Sequence, residues 1–142
     1  MLIGSQLKSA LESFARAEAQ IVLRGVPVTA AESLELVQLR RQLITEFATL
    51  SAAIEAEPNL IRSPAMLTDA TRLLAAFRTA NSVNQAEWPV VRVREDAAGY
   101  HIAVQRVVIA SDAFWNWAAK TLNFDRRHLI DDANRSTSFE QR

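Results

Sequence analysis

Apolar residues recur every three or four positions along most of this chain. In the first segment Leu7, Leu11, Phe14, Ala17 and Ile21 share one side, and Lys8, Glu12, Arg16 and Gln20 occupy the other. That spacing predicts an amphipathic helix from near Ser5 to Arg24. Gly25 suits a left-handed cap after it, and Pro27 cannot continue the hydrogen-bond ladder. Thr29-Ala30-Ala31-Glu32 has the form of a capping box and predicts a second helix from residue 29 to about 56. Its stripe is Leu36, Leu39, Leu43, Phe47, Leu50 and Ile54, with Pro58 and Asn59 beyond its end. A helix of that length, roughly 40 Å at 1.5 Å per residue, needs a neighbour along it, because helices in water draw most of their stability from packing an apolar face.

Ser63-Pro64 signals a third start, with proline at the first helical position, where its missing N–H costs nothing. A seam of alternating threes and fours then runs through Leu67, Ala70, Leu74, Phe77, Asn81, Asn84, Trp88, Val91, Glu95, Ala98, Ile102, Gln105 and Ile109. Its persistence predicts helix on both sides of Pro89, in a long third element over 64–110 kinked at that proline. The alternation of Val91-Arg92-Val93-Arg94 and Ile102-Ala103-Val104-Gln105 is also compatible with a β-hairpin turning at residues 95–99, although a lone hairpin is marginal in water. A shorter helix follows to about residue 123, and 125–142, polar for most of its length, reads as a mobile tail after a helical domain of residues 1–124. The expected fold is therefore all-α, an antiparallel helical bundle with a short C-terminal helix.

Composition narrows the function. The 142 residues are 49% apolar and 23% charged, the balance of a globular domain. The net charge is zero, so no overall field draws the molecule to nucleic acid or to an anionic membrane. Cysteine is absent, which removes disulfides, thiol catalysis and thiolate metal sites. The N-terminus has no secretory pattern, and no run approaches the ~18 apolar residues of a membrane span, so a cytoplasmic location is expected.

Candidate chemistry is thin. His101 and His128 lie 27 positions apart, without the local spacing of a metal motif. His101 beside a helical seam invites comparison with phosphotransfer bundles, but Ile102, Ala103, Val104 and Gln105 follow it in place of the lysine and small residues of such domains. The carboxylates are scattered, and with glycine only at 4, 25 and 99 no phosphate-binding loop can form. No catalytic residue, metal ligand or cofactor is assigned. Two arginine patches, Arg92, Arg94 and Arg106 beside Trp88 and Tyr100, and Arg126 and Arg127 beside His128, are offset by nearby acidic residues. The strongest feature is aromatic: Phe114, Trp115, Trp117, Leu122 and Phe124 crowd into eleven residues, with the two tryptophans on different helix faces. Either other elements enclose this segment, or one side of it waits for a partner, where tryptophan is a favoured anchor.

The run Leu36-Val37-Gln38-Leu39-Arg40-Arg41-Gln42-Leu43, the Asn81-x-x-Asn84 pair and the hydrophobic C-terminal segment together resemble flagellar export chaperones of the FlgN type. Trp88-Pro89 and Gly99 depart from the unbroken last helix of that family. The resemblance implies a non-enzymatic chaperone for a secreted or flagellar protein, capturing an amphipathic helix of its client through Phe114, Trp115, Trp117, Leu122 and Phe124. A regulatory bundle acting through His101, and a phage or structural assembly subunit that pairs with copies of itself, are the other classes left open.

Overall fold

The computed structural model describes residues 1–127 and 129. Among them every regular element is a helix: α1 (Ser5–Arg24), α2 (Ala30–Ala56), α3 (Pro58–Ile61), α4 (Pro64–Glu87), α5 (Val90–Glu95), α6 (Ala97–Ala103) and α7 (Gln105–Thr121). The all-α expectation holds, and the hairpin alternative does not, because residues 90–103 are helical.

The first boundaries follow from the local chemistry. Gly25 takes φ +63° after α1, a conformation that a side chain would strain. Thr29 Oγ1 accepts from the Glu32 amide at 3.1 Å and caps α2. The Glu32 carboxylate turns to Arg24 at 2.8 Å and so ties the end of α1 to the start of α2. The α1 N-terminus is held by Glu57, a buried carboxylate that accepts from the Gly4 amide at 3.1 Å, where negative charge suits the helix dipole.

The long kinked third element is not formed. α4 ends at Glu87, Trp88 and Pro89 are non-helical, and a second break falls at Asp96, whose side chain caps α6 by accepting from the Gly99 amide at 2.9 Å. Each break resets the rotation of the chain, so the seam does not continue beyond Trp88. Val91, Ile102 and Ile109 are exposed, and Val90 and Val93 are buried instead. The last helix correspondingly begins at Gln105, inside the stretch assigned to the third element.

Packing is centred on rings. Phe14 of α1 lies edge-on to Phe47 of α2 at 4.7 Å and to Phe77 of α4 at 5.5 Å, and Phe47 meets Phe77 at 4.9 Å. Such pairs add to the energy of area burial. α1 packs along α2, and α7 along α4, while α2 also contacts α4. α1 and α7 approach each other where Phe14 meets Trp115, with ring centroids 6.0 Å apart. Toward the C-terminal end of α1 and the N-terminal end of α7 they leave a gap.

Candidate functional site

That gap is a groove of about 490 Å³, walled by the end of α1 and the start of α7 and floored by α2 and α4. Its sides are apolar: Ile21, Val22 and Leu23 from one helix, Val107 and Val108 from the other, with Leu43 and Phe77 beneath. Val22 is 75% exposed, Leu23 51% and Val108 41%, so its rim presents hydrocarbon to solvent. Size and lining match those of ligand and peptide sites, which are mostly apolar with a few polar groups that set orientation.

Two polar clusters stand at this groove. In the first, Glu18 Oε2 accepts from Ser111 Oγ at 2.6 Å, and Glu18 Oε1 accepts from Trp115 Nε1 at 3.0 Å and from Arg126 Nη1 at 2.6 Å. Arg126 also pairs with Asp112 at 3.0 Å and lies 5.4 Å from the centre of the Trp115 ring. This cluster is internally satisfied and ties α1, α7 and the chain after α7 together.

The second is not satisfied. Arg40 of α2 is buried, lines the groove together with Leu43, Asn81 and Asn84, and has its guanidinium carbon 6.0 Å from the centre of the Tyr100 ring. Its Nη1 donates to the Trp88 carbonyl at 2.7 Å, but Nη2 has no partner, and no carboxylate among the described residues lies within 4 Å of it. Asn81 Nδ2 is likewise buried and unpartnered. A buried donor without an acceptor costs free energy, and a buried guanidinium without a counter-charge costs several kcal/mol.

The aromatic residues expected to face a partner belong to the core. Phe114, Trp115 and Leu122 are buried, and Trp117 and Phe124 are half-buried against the same core. Trp115 lies between Phe14, Phe114 and Phe124, at 6.0, 5.1 and 5.8 Å, so α7 is enclosed on both of its aromatic sides. In the free chain Phe114, Trp115 and Leu122 are thus closed off by the core, while Trp117 and Phe124 keep part of their surface exposed. It follows that removing residues 111–142 would take Phe114, Trp115 and Ala118 out of the core, and could not leave the helical fold intact. Within the stretch read as a tail, Arg126 is held by Glu18 and Leu129 packs on the core. The remainder of it, and His128, lie outside the described residues.

The other candidates are dispersed. Arg92 stacks on Trp88, 3.9 Å from the ring centre, and donates to the Glu87 carbonyl at 2.6 Å. In the second patch Arg126 is engaged by Glu18 and Asp112, whereas Arg94 and Arg106 of the first are exposed. His101 is exposed on α6. No group of three or more His, Asp or Glu among the described residues could hold a metal ion, and no helix is long and apolar enough to cross a membrane.

Arg40 and Glu18 carried a signal that the apolar stripes alone obscure. Arg40 is four residues after Leu36 and three before Leu43, and Glu18 is four after Phe14 and three before Ile21, so each charge sits inside an inward-facing row. Asn81 and Asn84 were already visible as polar members of the seam. Comparison with family models, curated proteins and solved structures gave no match, so the functional reading stands on the geometry of the groove.

Proposed function

We propose that this chain is a non-enzymatic binding protein of the cytoplasm that holds an amphipathic helical segment of another protein in the groove between α1 and α7, in the manner of a chaperone. The observation that carries the reading is the apolar groove of about 490 Å³ with an exposed hydrocarbon rim at Val22, Leu23 and Val108. A partner helix laid into an apolar groove is a common mode of recognition, with side chains at i, i+3, i+4 and i+7 as anchors. The sequence resemblance to export chaperones supports a client that is held before secretion or flagellar assembly. Contact is assigned to the rim and floor of the groove rather than to Phe114, Trp115 and Leu122, which the monomer already buries.

The test is capture of a partner from the native cytoplasm by tagged wild-type chain, compared with Leu23→Asp and Val108→Asp. Both positions are exposed, so the variants should keep their helical circular dichroism. A protein retained by the wild type and lost by both variants, and displaced by a synthetic peptide of its own amphipathic segment, is the expected outcome. Equal retention by all three chains would refute the groove as the site.

A further inference from the structure

The floor of the groove is chemically incomplete in a way that names what should enter it. Three buried side-chain donors lack a partner among the described residues, and two of them, Arg40 Nη2 and Asn81 Nδ2, belong to residues that line this one groove. They come from different helices, and Arg40 and Asn81 are only 8% and 7% exposed. Neither is a surface side chain waiting for bulk water.

The charges around the groove sharpen the point. Glu18 and Asp112 at one end are matched by Arg126, with contacts of 2.6 and 3.0 Å. Arg40 has no such match within the described chain, and its Nη1 is already committed to the Trp88 carbonyl. What is missing is an acceptor, and for a buried guanidinium the acceptor that offsets both hydrogen bonding and charge is a carboxylate. A second buried amide donor from another residue of the same groove, Asn81 Nδ2, suits the second carboxylate oxygen.

We infer that the segment held in the groove sets one aspartate or glutamate within its apolar face, and that this carboxylate seats on Arg40 and Asn81. The inference rests on the groove being the binding site and adds the chemistry by which it selects. A purely apolar helix would leave Arg40 unpaired and would bind weakly, while a helix with lysine at that position would be rejected by like charge. Selectivity then comes from a group that the site must have rather than from the apolar rim, which accepts any hydrocarbon of suitable shape.

The experiment uses two fluorescent synthetic helices with leucine at i, i+3, i+4 and i+7, one with a glutamate inside that face and one with glutamine in its place. Dodecanoate and dodecanol are run in parallel, against the full wild-type chain, Arg40→Met and Arg40→Lys. The glutamate helix is expected to bind the wild type at least about ten-fold tighter than the glutamine helix, as charge-assisted hydrogen bonds warrant. That ratio should vanish in Arg40→Met and be partly kept in Arg40→Lys, with circular dichroism of both variants unchanged. Equal affinities for the two helices would overturn the inference and leave the groove reading standing. Binding of dodecanoate over dodecanol through Arg40, with neither helix bound, would overturn the helix as occupant and assign the groove to a free fatty carboxylate. Failure of all four probes to bind would overturn the inference, and the groove reading would then be decided by the Leu23→Asp and Val108→Asp captures.

Discussion

At the level of single residues, this molecule is distinguished by two charges, Glu18 and Arg40, set within inward-facing apolar rows. Glu18 satisfies three donors from α7 and the chain beyond it. Replacing it by alanine strands the Trp115 indole N–H and leaves Arg126, in a partly buried setting, with Asp112 as its one remaining carboxylate among the described residues. A loss of about 2–4 kcal/mol in urea unfolding is expected, with Glu18→Gln losing roughly half as much. Arg40 behaves in the opposite way. Because its charge is buried and unmatched, Arg40→Met should leave the protein as stable or raise stability by about 1–3 kcal/mol. A variant that gains stability while losing selectivity is what a residue kept for binding should give. Phe14, with zero exposure and rings from three other helices against it, is the plain structural counterpart. Phe14→Ala should cost about 3–5 kcal/mol by the same unfolding measurement.

At the level of the helices, the chain reads well wherever one periodicity runs uninterrupted between clear caps. The bounds of α1 and α2 follow from Gly25, Pro27 and Thr29, all of which act locally. The region after Trp88 reads badly because its breaks depend on groups that meet only in three dimensions. Asp96 caps α6 through the Gly99 amide, and Gly99 in turn lies under the Trp88 ring. A Cβ at residue 99 would collide with the Asp96 carboxylate and come within 2.8 Å of Trp88 Cη2. Gly99→Ala should therefore destabilise the protein by about 1–3 kcal/mol, as overpacking does, and should perturb the Trp88 fluorescence first. A regular seam through Val91, Ile102 and Ile109 gave a false continuity, since two short breaks suffice to rotate those residues to the surface. They leave α7 free to begin at Gln105 and to place Val107 and Val108 against the groove.

At the level of the whole molecule, the groove exists because α1 lies on α2 and α7 on α4, and the remaining edge is joined where Phe14 meets Trp115 and where Glu18 accepts from Ser111 and Trp115. Composition and periodicity made the all-helical class legible, and the aromatic cluster was legible as a feature. Its role was not, because a tryptophan pair on two faces is equally consistent with a sandwiched helix and an open one. What decides between them is the enclosure of Trp115 by α1 and by Phe124 beyond α7, a tertiary fact. The most direct test is a two-dimensional nuclear magnetic resonance titration of the wild-type chain with the glutamate-bearing helix. The amide and methyl signals of Val22, Leu23, Val107 and Val108 and the side-chain amide of Asn81 should shift together, while the Trp115 indole N–H, bound to Glu18, stays in place. Movement of the Trp115 signal with the groove residues silent would contradict the assignment and return the binding face to the aromatic segment.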